Sequence, residues 1–430
     1  MDEAPGAAFG FDPDLPALPQ AFAPAEVARL LAPPGGDAAK LRRQDTKYQP
    51  GVRCAVTYEV GLTGADGTCR RTIGVVTATP QGLQRRFLEE DARLGGLAEA
   101  LDGRRMAERL AAVLGPVDAC AAVPVRYKPG DRCVIRYELR TAAGARVLFG
   151  KLLADGWNAK LALLDALAAA GRADPAVPPT LPVVAHLPDL GLLLQPAVDR
   201  AVELNRAGFD PAVPAATRAA WLRAAGRHLA GLQRCALPGA PERPLAGDLD
   251  ELVGYLAPLR QAAPPLARRY HALLEALARR VHAAPAPPPV AGHGAFRTDQ
   301  FLLAGGGEGG DPGGGAGTDA TGARLVMIDL DGACYAEPAR DLGNFLAYLD
   351  WKAIRRPDLA AVVAGAEAAV LAGYAAERPL PPARRLALCR AASLLKIAGR
   401  RYRSLAVDEW PLVPRLLDLA AAHLGDAPAA

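Results

Sequence analysis

The chain has 430 residues and a formal net charge of +4, from 50 basic against 46 acidic residues. That balance, with no block of five or more Lys/Arg, excludes a nucleic-acid footprint as the leading reading. Hydrophobic residues make up 51% but aromatics only 5%, so a sizeable core must be built from Leu, Val and Ala. Seven scattered cysteines, none in a C-x-x-C pair, and six histidines away from zinc-ligand spacing argue for reduced thiols in a cytoplasmic protein. The start is acidic and Pro-rich, unlike a signal peptide. The most apolar long stretch, Leu359–Ala376, has about the length of a membrane span. It contains Glu367 and is mostly Ala and Gly, so it reads as an Ala-rich helix of a soluble protein, and no membrane partner is expected.

In chain order, residues 1–40 read as a loosely ordered lead-in, apart from a short helix over Ala25–Leu31. An internal repeat follows. Tyr48-Gln-Pro-Gly-Val-Arg-Cys-Ala-Val-Thr-Tyr-Glu-Val60 matches Tyr127-Lys-Pro-Gly-Asp-Arg-Cys-Val-Ile-Arg-Tyr-Glu-Leu139 without gaps. In each copy Pro-Gly marks a turn, a β-branched strand follows, and a Gly-containing turn closes a hairpin (47–77 and 126–153). Leu83–Leu114, between the copies, reads as helical, with Gly115-Pro116 as its stop. The return strand of the second hairpin carries Lys151 among apolar neighbours; the first has Val75 after its Gly. A cation there either sits at a strand end with its head in water or faces an anion.

Helices are expected at Trp157–Ala170, Thr217–Cys235, Leu249–Leu259, Pro265–His282, Pro357–Ala376, Pro382–Arg403 and Val413–Leu424, after short strands at Val183–His186 and Leu190–Gln195. Two further strand candidates, Gln300–Leu303 and Leu325–Ile328, flank a Gly-dense stretch, Gly305–Gly322, that reads as a flexible hairpin loop. It lacks the GK[ST] ending of a phosphate-binding loop.

The chemistry concentrates in His293-Gly-Ala-Phe-Arg-Thr-Asp-Gln300, then Ile328-Asp-Leu-Asp331, then Glu337-Pro-Ala-Arg-Asp341. This constellation resembles the aminoglycoside phosphotransferase and choline kinase-like family of small-molecule kinases. There the loop reads H-G-D-x-x-x-x-N, a strand ends in I-D-x-[DE], and D-P-x-x-D-L follows. Here Ala295 stands at the catalytic Asp, Gln300 at the Asn and Glu337 at the first downstream Asp. The resemblance covers about residues 120–405, and its specific part is His293–Asp341.

The resemblance implies an α+β, two-lobed protein kinase-like fold: a small β-rich N-lobe with the duplicated hairpin (41–198) and a mainly helical C-lobe (199–430). It implies ATP and Mg²⁺ as cofactors and a small-molecule hydroxyl acceptor. Lys151 would contact phosphate, although the Glu that usually partners such a lysine is not evident; Asp165 is the one acid on the next helix. Gln195 would lie in the hinge beside the nucleotide. The segment Ala225-Gly-Arg-His-Leu-Ala-Gly-Leu232 resembles the helix that precedes the core of the catalytic lobe. Asp329, Asp331 and Gln300 would be metal ligands, since Mg²⁺ takes oxygen donors; otherwise the acids are turn formers and Gln300 an edge-strand polar residue. His293 would structure the loop and Asp341 would order it. Asp299 is the remaining loop carboxylate, either a replacement base or a solvent-facing residue. Arg297 would meet an anion or face water. Two readings stay open: an active phosphotransferase, or a pseudokinase that binds nucleotide or a protein partner. The segment Asp350–Glu409, with many Arg and few acids, disfavours an aminoglycoside; a sugar, a choline-like alcohol and an amino alcohol remain as acceptors.

Overall fold

The structure, a computed structural model, describes residues 10–198, 200–283, 285–305 and 324–425. The lead-in expected over 1–40 is ordered where it is described. A 3-10 turn at Pro19–Phe22 and helix α1 (Pro24–Leu31), started by its proline, bury Leu15, Leu18, Val27 and Leu31. A four-stranded antiparallel meander follows: β1 (Asp37–Gln49), β2 (Arg53–Thr63), β3 (Cys69–Thr79) and β4 (Gly82–Phe87). The stretch from Leu83, expected to be helical, therefore begins as the edge strand of this sheet. Helix there is confined to a 3-10 turn at Leu88–Glu90, α2 (Leu97–Ala100) and α3 (Gly103–Leu114). The Asp102 carboxylate caps α3 by accepting from the backbone N–H groups of Arg104 and Arg105.

The second sheet runs β5 (Ala119–Lys128), β6 (Arg132–Thr141), β7 (Gly144–Leu153), then, after α4 (Trp157–Ala173), β8 (Ala185–Leu187) and β9 (Leu192–Pro196), in the order β5-β6-β7-β9-β8.

The two copies of the repeat share more than their hairpins. The Tyr48 hydroxyl donates to Asp12 at 2.6 Å, and Gly51 N–H donates to the same oxygen at 2.9 Å. In the second copy Tyr127 and Gly130 meet Asp91 at 2.6 and 2.7 Å. Tyr58 and Tyr137 donate to the carbonyls of Ala21 and Ala100. Each repeat thus includes a helical lead as well as a hairpin, and a buried Asp locks its Tyr-x-Pro-Gly corner. Register also corrects the sequence comparison. Val134 pairs with Lys151 and Ala55 with Thr77, so Thr77, not Val75, stands at the lysine's position. The first hairpin's longer connection, between Thr63 and Cys69, shifts the count.

The C-lobe begins with β10 (Val202–Glu203) and α5 (Leu204–Ala207), then α6 (Ala215–Leu232), α7 (Leu245–Val253), α8 (Leu256–Ala262) and α9 (Pro264–His282). Strands β11 (Val290–Gly292), β12 (Phe301–Ala304), β13 (Arg324–Met327) and β14 (Cys334–Ala336) follow. They form a β10-β12-β13 sheet and a β11-β14 pair. The Gly-dense stretch between β12 and β13 lies, beyond Gly305, outside the described residues. Helices α10 (Ala339–Arg355), α11 (Ala360–Ala375), α12 (Ala383–Arg403) and α13 (Val413–Leu424) complete the lobe.

Helix α10 was not anticipated, although its signal is present. Pro338 precedes it, and Leu342, Phe345, Leu346 and Leu349 fall at i, i+3, i+4 and i+7, all buried. The apolar α11 packs on α6. A Cβ on Gly226 would lie 2.1 Å from the Val370 carbonyl, and one on Gly373 2.0 Å from that of Arg223, so both crossing points need glycine. The first repeat docks on the C-lobe rather than floating free: Leu405 joins its core, Phe11 meets Trp410 edge-on, and Gln261 donates to the Phe11 carbonyl.

His228 on α6 is buried and bonds the Ala176 carbonyl through Nδ1 at 3.1 Å, pinning the inter-lobe connector. Burial depresses its pKa from 6.5 to about 4. Between those values the unfolded chain binds a proton that the folded chain refuses. Stability is therefore complete above about pH 6.5 and falls as pH drops toward about 4, by roughly 3 kcal/mol from this group. Melting temperature measured against pH should fall through that window, and His228→Gln should flatten the slope.

Candidate active site

Along β7 the pleat puts Leu148 and Leu152 into the core and Lys151 on the opposite face, looking into the cleft between the lobes. Its ammonium reaches the C-lobe. It lies 3.3 Å from Asp329 Oδ1 and 2.9 and 2.8 Å from the two oxygens of Asp331. Asp331 also takes Lys160 of α4 at 2.9 Å and Arg132 of β6 at 3.3 Å. Sequence reasoning missed these last two. It looked for an acid on α4, and the helix instead supplies a second lysine; Asp165 is exposed.

Burial alone would raise the Asp331 pKa, but Lys151 and Lys160 outweigh it and hold the carboxyl well below its ordinary range. Read from its other end the same contact is less favourable. Lys160 is depressed, because its burial, and Lys151 nearby, exceed what Asp331 returns. The geometry and the direction for Asp331 agree that the carboxylate is charged, and three cations surround it.

Asp329 follows β13 in the left-handed region, at φ 57 and ψ 52, a costly conformation for a residue with a side chain. Its carboxylate is about half exposed, 45%. Gln300 ends a 3-10 turn, Thr298–Gln300, and is buried. Its amide nitrogen donates to Asp299 at 3.0 Å, while its Oε1 is buried without a hydrogen-bond partner. Its carbonyl accepts from Ile328 N–H at 2.9 Å, which sets Gln300 beside the chain leading into Asp329.

The loop itself is held from below. Asp341, at the start of α10, accepts from the backbone N–H of His293 at 2.6 Å and of Gly294 at 3.0 Å. His293 is fully buried, with its pKa lowered chiefly by burial. Nε2 therefore carries the proton it donates to the Ile328 carbonyl at 2.9 Å, and Nδ1 has no partner. Gly294 has φ +76, and a Cβ there would lie 1.9 Å from the Gly332 carbonyl, so the loop and the Asp331 turn touch backbone to backbone.

Ala295, half-buried, carries no proton acceptor. Asp299 pairs with Arg297 at 3.1 Å and opens onto a cavity of about 690 Å³ shared with Thr298, Asn205 and the C-terminal ends of α10 and α12. Gln195 pairs with Phe149 of β7, and its side-chain amide donates to the Leu181 carbonyl at 2.8 Å. The structure therefore brings together Lys151, Asp329, Asp331, Gln300, His293 and Asp341, with Asp299 on the wall of the large cavity and Gln195 on β9, paired with β7. Among the described residues no group of three His, Cys, Asp or Glu forms a metal cluster, and all seven cysteines are free.

No protein-family model and no curated relative matches the chain. Solved structures do. A Ralstonia eutropha protein assigned to the aminoglycoside phosphotransferases aligns over 79% of this chain and 99% of its own, at 14% identity and a TM-score of 0.52. Choline kinase LicA from Streptococcus pneumoniae aligns over 75% of this chain and 98% of its own, at 12% identity and a TM-score of 0.45. A glucosamine kinase bound to glucosamine, ADP and phosphate aligns over 90% of this chain and 93% of its own, at 18% identity and a TM-score of 0.42. The likeness to the first establishes the fold: a two-lobed, kinase-like α+β architecture with a β-rich N-lobe and a helical C-lobe.

Proposed function

We propose that this chain is an ATP- and magnesium-dependent phosphotransferase that acts on a hydroxyl group of a small molecule. The observation that carries the reading is the convergence across the cleft of Lys151 with Asp329 and Asp331, directly above a loop tied down by Asp341. Phosphoryl transfer asks for little else than positioning and charge neutralisation.

The residues fit a magnesium ion in one respect that can be tested. The buried Gln300 Oε1 has no partner, and an oxygen-seeking cation satisfies it. Asp329 and Gln300 would hold the ion, which would neutralise charge on the nucleotide's phosphates. Asp331 contributes less as a ligand, being already enclosed by Lys151, Lys160 and Arg132. Lys151, released from the two aspartates, would contact phosphate. Gln195 would border adenine at the hinge, though its side-chain amide donates to the Leu181 carbonyl. The acceptor hydroxyl oxygen forms the new bond to γ-phosphorus as the bond to the β,γ-bridging oxygen breaks. The hydroxyl proton passes to Asp299, the loop carboxylate that faces the acceptor cavity. Lacking an Asp at 295, the reaction runs about 10²–10⁴-fold below what a well-placed base allows if Asp299 gives no help.

Ala295 and the enclosure of Asp331 also favour a second reading, a pseudokinase that binds nucleotide and acts through a protein partner. Thermal stability with and without saturating Mg-ATP separates the cases from a chain that binds no nucleotide. At 100 times the dissociation constant, binding adds about 2.7 kcal/mol, a shift of at least a degree or two for a chain of this size. The shift should vanish in Asp329→Asn. No shift in the folded wild type would refute nucleotide binding altogether. A shift without phosphate transfer to any acceptor would select the pseudokinase.

A further inference from the structure

The cavity beside Asp299 has an unusual charge. Nine of its seventeen lining residues are Lys or Arg, against two Asp. Five of the nine are ion-paired: Arg297 with Asp299, Arg355 and Arg401 with a shared Glu409, Arg356 with Asp358, and Arg400 with Glu251, which Lys396 shares. The other four, Lys47, Arg126, Lys352 and Arg403, have no carboxylate within ion-pair distance among the described residues.

Basic residues at the C-terminal ends of α10 and α12 have a bland explanation in the helix dipole. Lys47 and Arg126 do not. They sit on β1 and β5, one in each repeat, and come to the cavity from the opposite wall. Both strands are bulged just there. The extra residue of β1, Gln44, donates to the carbonyl of the extra residue of β5, Val125, at 2.9 Å. Bulges re-aim side chains, and these two cross-braced bulges fix the strand segments that carry Lys47 and Arg126.

Resting on the phosphotransferase reading above, we propose that this cavity binds an acceptor that itself carries a phosphate group, and that the added N-terminal repeat exists in part to complete its wall. The volume, about 690 Å³, suits a phosphorylated small molecule. Arginine forks and lysine ammonium groups match phosphate oxygens in charge and geometry. The electrostatics of the cavity lean the same way. Burial holds Lys47 and Lys352 below their ordinary pKa; for the first, Lys128 and Arg403 add to this against Asp45 and Asp131, and for the second, Arg355 and Arg356 add to it against Asp299. Burial would raise the Tyr348 phenol, yet Arg297 and Arg400 pull it lower overall. A dianion relieves each of these at once. The same charge repels a polycationic antibiotic.

Calorimetry with the full chain tests this, using pyrophosphate, inorganic phosphate, glucose 6-phosphate, glucose and citrate as probes, alone and with the nucleotide site filled by Mg-ADP. The expected result is binding of the phosphate-bearing probes, not of glucose, that survives Mg-ADP. It should weaken on the order of 100-fold in Lys47→Glu/Arg126→Glu, two lost charge-assisted contacts, while Mg-ADP affinity is unchanged. Anion binding that Mg-ADP abolishes, or that the double variant leaves intact, places the anion elsewhere and overturns the proposal. So does citrate binding tighter than every phosphate probe, or no anion binding by a folded chain that binds Mg-ADP. If anions bind this cavity but Mg-ADP does not bind at all, the phosphotransferase reading falls and the anion site stands.

Discussion

Asp331→Ala should destabilise the nucleotide-free protein by about 3–5 kcal/mol, the usual cost of stripping a buried cation of its counter-charge. The reason lies in what Asp331 touches. Its carboxylate is the shared partner of Lys151, Lys160 and Arg132, and Lys160 is the one of the three with least access to water, 13%. Without Asp331 that ammonium has Lys151 beside it and no acid in contact. Chemical denaturation of the wild type, Asp331→Ala, Lys160→Met and the double variant closes a cycle. Most of the loss should disappear in the double variant, because the uncompensated charge goes with Lys160. A single-variant loss under 1 kcal/mol would mean that water already solvates the cluster. Mg-ATP should moderate the loss if its phosphates replace the missing carboxylate beside Lys151 and Lys160.

That cluster also marks the limit of what the sequence could say. His293, Gly294, Asp329 and Asp341 were readable because each is tied to its chain neighbours by a fixed spacing. The loop, the strand end and the helix start meet through backbone contacts that a short motif specifies. Lys160 and Arg132 were not, since nothing in their local sequence tells that two elements 171 and 199 residues from Asp331 will converge on it. Side-chain pairing across lobes is a property of packing, not of periodicity.

The repeat shows the same boundary. Its Tyr-x-Pro-Gly hairpins stood out as identities, yet the Asp that locks each corner lies 36 residues upstream of its tyrosine, inside stretches read as a loose lead-in or as a helix. The offset of 79 that aligns the tyrosines also aligns Asp12 with Asp91 and Ala21 with Ala100. Carrying that offset further upstream would have found both. The strand register was mis-set for a different reason: the first hairpin's connection is longer, and a gapless comparison cannot see that. Helix α10 was missed although its apolar spacing is local, because the motif at its start was read for its side chains and the periodicity beyond it was not followed.

Arg390→Met should cost at least as much as Asp331→Ala, again about 3–5 kcal/mol and without rescue by any nucleotide. Arg390 on α12 forks onto two carboxylates. It meets both oxygens of Asp350 on α10, at 2.7 and 2.6 Å, and both of Glu367 on α11, at 2.8 and 2.9 Å. The guanidinium is only 12% exposed, and its pKa, despite burial, is raised by the two acids. One residue thus joins three helices, and it explains the lone acid in the apolar α11. Methionine fills the stem but leaves Asp350 and Glu367 facing each other in a poorly solvated site. Arg390→Lys should recover less than half of the loss, because a single ammonium cannot serve two carboxylates in the planar, bidentate manner of the fork. Melting curves at pH 7 measure both variants. A further test is Arg390→Met combined with Glu367→Gln, which removes one of the two stranded charges. It should regain stability relative to the single variant, whereas a simple packing defect at position 390 would leave the two indistinguishable.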